Sequence, residues 1–277
     1  MLWHPKRRIE QAYQRSLIAM FKSALTAFNG IDTLKQFETM LEQWASSKTF
    51  GKFAESVSRK MITSLFDDVG KDWRSAARYN SQGRRIYELL MKDLSGERGR
   101  RVDDLVHQNA ELIKSLPVDI ADDVAQYIFR ETIKGRRPEN IERDIIKMFP
   151  DRAKARAKLI ARTECAKTQT ALVQGDSEEI GANWYIWRST KDQRVRVSHH
   201  KMDGILCSWR DPPNPEALFP SEQKPYGSYH PGCTFNCRCY PEPIVTKYQL
   251  TKNTYKVYQY GQLQTLNKSA VLKLISL

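Results

Sequence analysis

The stretch His230-Pro-Gly-Cys233-Thr-Phe-Asn-Cys237-Arg-Cys239 places three of the chain's five cysteines in one short segment. A fourth, Cys207, precedes it, whereas Cys165 lies far upstream in a helical pattern. Sulfur and imidazole groups this dense are typical of a metal site or of disulfides. Because clustered cysteines in a reducing compartment more often bind metal, we favour a metal over disulfides or free thiols.

The metal that fits these side chains best is zinc, which structural sites surround with four Cys or His ligands. The best predicted set is Cys207, Cys233, Cys237 and either His230 or Cys239. In an extended strand a Cys-x-Cys pair points its thiols to opposite faces. One of Cys237 and Cys239 would then belong to the core, unless a turn intervenes. The alternative is that some of these cysteines are buried free thiols.

Two histidines, His199 and His200, lie upstream and are followed by Asp203-Gly204. A His and an Asp at this spacing could supply a general base or a metal ligand, but such a pair is frequent by chance. We favour the simpler interpretation, in which Asp203-Gly204 forms a turn that a hydrogen bond from His199 fixes.

Hydrophobic periodicity predicts an α+β fold, with a mainly helical N-terminal region and a small mixed α/β domain with β-hairpins and a Cys/His-rich loop. Apolar residues recur at three- and four-residue steps before Gly175. Pro117 and Pro150 are expected to break these helices, and Gly175 to end the last one. Residues 184–187 are strand-like, and residues 194–198 alternate as a hairpin partner would.

These patterns divide the chain into a helical region 1–130, a domain 131–245 and a basic C-terminal tail 246–277. The tail has apolar residues in β-like alternation followed by a short apolar end. It could dock on a partner or cover the chain's own core. Cys165 lies in a helical stripe of small and apolar residues, so we interpret it as a core residue.

The net charge of +13 is unevenly distributed. Residues 1–160 hold 30 Lys and Arg against 22 Asp and Glu, residues 161–245 hold 10 against 10, and residues 246–277 hold 5 lysines and no acid. Any attraction to nucleic acid would therefore come from the helical half and the tail. The alternative is a basic helical protein with solvated lysines.

Several arginines are placed at expected helix ends or loops, where they could contact phosphates or an acidic protein ring. They are Arg84, Arg85, Arg100, Arg101, Arg136 and Arg137.

The N-terminal residues lack the apolar core of a signal peptide, and no run approaches the ~18 apolar residues of a membrane helix. We therefore expect synthesis in the cytosol and no membrane association. The composition, 40% apolar and 28% charged, is that of a globular protein.

Three motifs in order resemble the phage head-morphogenesis family, in which the phage Mu F-like minor head proteins are grouped. The resemblance covers roughly residues 130–245. The motifs are Ile160-Ala161-Arg162-Thr163-Glu164, Asp192-x-x-Val195-Arg196-x-x-His199-x-x-x-Asp203-Gly204, and the segment from Pro231 through Asn236-Cys237-Arg238-Cys239 and Pro241. Cys207 and Cys233 lie outside the family pattern.

The resemblance implies a non-enzymatic minor head protein of the virion, present in few copies at the portal vertex. Such proteins act in head morphogenesis and in the handling of packaged DNA. The implied partners are the portal protein, a capsid or scaffolding protein and double-stranded DNA, with region 1–130 making the portal or capsid contact. The implied location is the phage head, after assembly in the host cytoplasm. The motif positions expected to serve the structure are Arg162, Glu164, Asp192, Arg196, His199 and Asp203.

Two other functions stay open at this stage. A metal-dependent nuclease acting on phage DNA would hold a hydrolytic metal through His199, His200, Asp203 and His230. A basic DNA-binding module would use the helical half. The sequence has no phosphate-binding loop, no Gly-x-Ser-x-Gly elbow and no His-Glu-x-x-His motif.

Overall fold

A computed structural model describes residues 2–27, 34–78, 83, 84, 88, 97–220 and 226–275. The described helices are α1 (Arg7–Ala27), α2 (Leu34–Ser46), α3 (Lys48–Arg78), α4 (Glu97–Ile133), α5 (Pro138–Glu179), α6 (Val197–Met202), α7 (Pro215–Leu218) and α8 (Lys268–Ile275), with a 3-10 turn at Lys247–Gln249. The strands are β1 (Trp184–Arg188), β2 (Leu206–Ser208), β3 (Tyr240–Pro243), β4 (Thr254–Gln259) and β5 (Gln262–Asn267). The predicted α+β class is confirmed.

The five strands form one mixed sheet in the order β3-β1-β2-β4-β5. β1 is antiparallel to both β2 and β3, β4 is antiparallel to β5, and β2 pairs in parallel with β4. The strand predicted at residues 184–187 is therefore confirmed, and it is flanked by strands on both sides.

The hairpin partner predicted at residues 194–198 is wrong. The chain there turns and enters α6, whose buried side chains are Ser198, His199 and Met202. These side chains lie on one face of a helical turn, and their burial outweighs the weak alternating pattern before them. The strands that flank β1 are β2 and β3, which lie farther along the chain.

The helix boundaries predicted at Pro117, Pro150 and Gly175 are also wrong, because all three residues lie inside α4 or α5. A proline inside a helix costs roughly 3 kcal/mol. Around Pro117 this cost is offset by packing, since Ile113 and Leu116 are fully buried. α5 begins at Pro138, a position in the first helical turn where proline is tolerated.

The contacts divide the described chain into two compact units. The helical unit contains residues 8–63 and 101–161, and the sheet unit contains residues 1–7, 64–100 and 162–277. α3, α4 and α5 contribute residues to both. The domain boundaries drawn from the sequence at residues 130 and 245 stay predictions.

The helical unit has an apolar interior with one small polar network. Side chains exposed by 2% or less in this unit include Leu17, Leu41, Ile62, Ile113 and Leu116. Asn109 Oδ1 accepts hydrogen bonds from Tyr13 Oη at 2.8 Å and from Ser58 Oγ at 3.1 Å. The apolar residues that recur at helical spacing in the sequence thus form the core between the packed helices.

The C-terminal tail covers the chain's own core, which is one of the two roles left open by the sequence. Its strands β4 and β5 complete the sheet, and α8 follows them. The buried apolar cluster of this unit consists of Ile186, Leu206, Ile244, Leu250, Tyr255, Val257, Val271 and Ile275.

Two further predictions concern burial and membranes. Cys165 is buried in the stripe of α5, as predicted. Among the described residues, no helix has an apolar stretch long enough to cross a bilayer.

Candidate metal centre

Three buried side chains converge beside β1: His199 from α6, and Cys237 and Cys239 from the loop that leads into β3. The Nδ1 atom of His199 is 3.5 Å from the Sγ atom of each cysteine. The donor atoms of all three lie within 4.8 Å of one another. One imidazole nitrogen and two sulfurs at this spacing could hold a metal ion, and zinc prefers such donors.

A tight turn allows both cysteines to face the same histidine. Asn236 adopts a left-handed φ of 56°, and the amide of Cys237 donates to the carbonyl of Thr234 at 3.2 Å. The Cys239 amide donates to Cys237 Sγ at 3.4 Å. The turn anticipated as an exception for Cys-x-Cys is therefore present, and neither thiol is turned away from the site.

The second half of α5 holds this loop in place. Thr170 Oγ1 donates to the Pro231 carbonyl at 2.7 Å, and Thr163 Oγ1 accepts from the Asn236 amide at 3.1 Å. Arg162 Nη1 donates to Asn236 Oδ1 at 2.7 Å. Arg162 and Thr163 of the Arg-Thr-Glu motif thus anchor the cysteine loop.

Gly232 is required at the point where the loop meets α5. Its φ is 88°, and a Cβ atom there would lie 2.9 Å from Thr170 Oγ1 and 3.2 Å from the Cys239 carbonyl oxygen. An L side chain is strained at such a φ and has no room at these distances. The Pro231-Gly232 pair therefore lets the loop approach the helix closely.

A buried hydrogen-bond chain fixes the orientation of the His199 ring. His199 Nε2 lies 2.8 Å from Tyr229 Oη, and Tyr229 Oη donates to the Glu216 carboxylate at 2.8 Å. Ser198 Oγ donates to the same carboxylate at 3.2 Å. Because the tyrosine proton points to Glu216, Nε2–H of His199 donates to the tyrosine oxygen, and the lone pair of Nδ1 faces the thiols. This is the arrangement that a metal-binding histidine needs.

The two thiols have opposite pKa shifts. A hydrogen bond from Cys239 holds the pKa of Cys237 well below its usual range. The same bond raises the pKa of Cys239 well above it. The pair therefore favours one thiolate at Cys237, and a thiolate is the form that binds a metal.

The other three predicted ligands lie outside this group of donor atoms. Cys207 is fully buried in β2, where its thiol lies 3.9 Å from the Ile205 carbonyl oxygen and burial raises its pKa. Burial also raises the pKa of the half-buried Cys233 to about 12. His230 Nδ1 lies 2.9 Å from Tyr185 Oη, and burial lowers the pKa of this histidine to about 4.

No disulfide links the five cysteines, all of which lie in the described part of the chain. Of the predicted ligands the structure brings together Cys237 and Cys239, and it adds His199 to them.

The upstream motif residues hold the loops around the centre. Arg238 Nη2 donates to Asp192 Oδ1 at 2.7 Å, and Arg196 Nη2 donates to the Phe235 carbonyl at 2.8 Å. Asp203 Oδ1 accepts from the Ser189 amide at 2.9 Å. Asp203-Gly204 does form a turn.

The predicted hydrogen bond from His199 to this turn is wrong. The ring of His199 lies against Tyr229 and the two cysteines instead. A buried imidazole needs hydrogen-bond partners, and here Tyr229, which is itself bonded to Glu216, supplies one.

The basic residues predicted to contact DNA or the portal differ in availability. Arg100 and Arg137 are exposed and Arg101 is half-buried. Arg84 is exposed and pairs with Glu88 at 2.9 Å, while Arg85 lies outside the described residues.

Arg136 is held within the helical unit. Its guanidinium donates to Glu131 at 3.0 Å and to Asp144 at 2.7 Å. Two carboxylates therefore already neutralise this arginine, which makes it a weaker candidate for a phosphate contact than the exposed ones.

Residues 120–241 match the model of a family described as Phage Mu protein F like protein. The chain carries a Mu F-like segment. The resemblance inferred from the three motifs is therefore confirmed, and the matched segment contains all three residues of the candidate metal centre.

An uncharacterized protein of Haemophilus influenzae is 31% identical to this chain over 168 residues, which are 59% of this chain and 34% of that protein. The chain thus spans about a third of the length of this curated relative. No solved structure gives a significant match.

His199 is the site residue that the interpretation of the metal ligands missed. The signal for it was present, because His199, Cys237 and Cys239 all belong to the family motifs. Cys207 and Cys233 lie outside the pattern. Among the histidines and cysteines, membership of the family motifs selects the three residues that the structure brings together.

Proposed function

We propose that this chain is a non-enzymatic minor head protein of a bacteriophage, which associates with the portal vertex and acts in head morphogenesis and in the handling of packaged DNA. The observation that carries this proposal is the family match over residues 120–241. The proposed location is the virion head, after assembly in the host cytoplasm. The proposed partners are the portal protein and a capsid or scaffolding protein.

The proposed role of the metal centre is structural. Zinc bound by His199, Cys237 and Cys239 would tie α6 to the loop before β3, two segments distant in the chain. The donor set suits zinc, and the hydrogen-bond chain through Tyr229 and Glu216 supports His199 as a ligand. A metal that binds only the folded state adds its binding free energy to stability.

The arrangement of the side chains favours this structural role over the nuclease alternative. His200 is exposed, His230 bonds to Tyr185, and Asp203 accepts from a backbone amide. Among the described residues, no group of possible metal ligands contains more than one of the four nuclease residues, which are His199, His200, Asp203 and His230. The proposed hydrolytic site would need several of these four residues as ligands of one metal.

Purified phage particles offer the test of the head-protein proposal. We expect the chain in gently purified heads, at fewer copies than the major capsid protein, and in complexes captured through the portal protein. Absence of the chain from particles at every stage of assembly would overturn the proposal. The DNA contact is tested with a tagged chain in which the exposed residues Arg100 and Arg137 are changed to Ala. If these arginines contact phosphates, the variant should bind DNA with a weaker dependence on salt concentration than the unchanged chain.

A further inference from the structure

A pocket of about 170 Å³ opens beside the candidate metal centre. It is lined by His199, Cys237 and Cys239 together with Arg194, Arg196 and Arg238. A single water needs only about 10–15 Å³ of such volume. The pocket therefore has room for a ligand group larger than water, directly against the three metal-binding side chains.

The centre supplies one donor fewer than zinc takes. A closed structural site has four protein ligands, whereas three protein ligands leave a position for water or another ligand. Within the part of the chain that the structure describes, no further His, Cys, Asp or Glu joins His199, Cys237 and Cys239. Since all three line the pocket, a fourth ligand would reach the metal from the pocket side.

The arginines give this pocket a positive charge. Asp192 holds Arg238, and the Phe235 carbonyl holds Arg196. The Arg194 side chain is exposed, and no ion pair of it is found among the described residues. The described residues that line the pocket include no carboxylate. Because a zinc ion with two thiolates is neutral, three guanidiniums leave a net positive charge even when Asp192 is counted.

We propose that this pocket binds a phosphate monoester group, with one oxygen on the metal held by His199, Cys237 and Cys239 and the others facing the arginines. This proposal rests on the metal assignment made under the proposed function. A phosphate monoester carries a charge of about −1.5 to −2 and offers three free oxygens. It matches several guanidiniums around one position better than a carboxylate, which brings one charge and two oxygens. The group can belong to a free phosphate ester or to the end of a nucleic acid.

The test uses the purified full chain loaded with Co²⁺ in place of zinc, because cobalt absorbs visible light according to its ligands and zinc is silent. Inorganic phosphate is titrated at constant ionic strength, with acetate as the carboxylate comparison. We expect a saturable spectral change that needs less phosphate than acetate. An oligonucleotide with a 5′ phosphate, compared with the same strand lacking it, distinguishes the two sources.

The matched variants are Arg194→Ala, in the pocket, and Arg210→Ala, which removes an exposed arginine of the same unit outside it. Both are expected to bind cobalt as the unchanged chain does. Arg194→Ala should raise the half-saturating phosphate concentration about tenfold, and Arg210→Ala should leave it unchanged.

A cobalt spectrum that phosphate does not change would overturn the phosphate site and leave the structural metal intact. Equal phosphate affinity in the two variants would also overturn it, because binding would then not involve the pocket. A chain that binds no metal would overturn both metal proposals, while the head-protein assignment would still be decided by the particle experiment.

Discussion

The helical unit and the sheet unit bury different kinds of side chain. In the helical unit, fully buried residues such as Leu17 and Ile113 are aliphatic, and Asn109 centres a small polar network. In the sheet unit, the buried His199 lies next to two thiols and is linked through Tyr229 to the buried Glu216, whereas a separate cluster is apolar. Buried polar groups are costly without partners. The helical unit therefore depends on apolar area, and the centre of the sheet unit depends on specific bonds.

Removal of the metal should give the largest difference in stability change between the two units. Chelation of the zinc-loaded chain is expected to lower the protection of β1 and β3 amides against hydrogen exchange by on the order of 5 kcal/mol. Amides of α1, in the helical unit, should keep their protection apart from global unfolding. A uniform loss across both units, or no loss at all, would remove the contrast.

Truncation of Ile113 to Ala tests the apolar dependence of the helical unit. Ile113 is fully buried in α4, so the change leaves a cavity and should cost roughly 2–5 kcal/mol of unfolding free energy. Urea unfolding measures the cost, and zinc content should be unaffected. If zinc content fell with Ile113→Ala, metal binding would not be local to the sheet unit.

Substitution of Gly232 by Ala tests the close approach of the cysteine loop to α5. The strained φ and the contact with Thr170 should together cost roughly 2–4 kcal/mol and weaken metal binding. Gly181→Ala is the matched control, because Gly181 has a similar φ of 77° and nothing within 4 Å of its added Cβ. Equal effects of the two variants would mean that backbone strain alone matters.

Acidification tests the neutral state of His230. Its pKa is lowered from 6.5 to about 4 in the folded chain, so between these values the unfolded chain binds more protons. Stability is therefore fully present above pH 6.5 and falls as the pH drops towards 4, by at most ~3 kcal/mol.

Urea unfolding of the unchanged chain and of His230→Gln should show this difference. The variant is expected to lose about 2 kcal/mol less than the unchanged chain between about pH 7 and about pH 5. Identical pH dependence of the two chains would mean that His230 titrates normally in the fold.

Local patterns in the sequence predicted the helices and β1, because periodicity records which face of an element is buried. Pro117 and Gly175 led to wrong predictions of the helix boundaries. The packing of neighbouring side chains such as Leu116 offsets the free-energy cost of placing these residues in a helix. The partners of β1 could not be predicted either, because Leu206 and Tyr240 reach Ile186 and Arg188 only through long-range contacts.

The sequence predicted two of the three residues of the metal centre, because long-range contacts bring in the third. The density of cysteines located the loop, and Cys237 and Cys239 both belong to the group. The third member, His199, is brought in by α6 from a distant part of the chain, and Tyr229 and Glu216 orient it. Cysteine spacing alone carries no record of that hydrogen-bond chain.

Elemental analysis of three purified chains tests the central claim most directly. The unchanged chain and the Cys207→Ser/Cys233→Ser variant should each contain about one equivalent of zinc, and the Cys237→Ser/Cys239→Ser variant should contain none. Zinc that is lost with Cys207 and Cys233 but kept without Cys237 and Cys239, or an unchanged chain that binds no metal, would contradict the account.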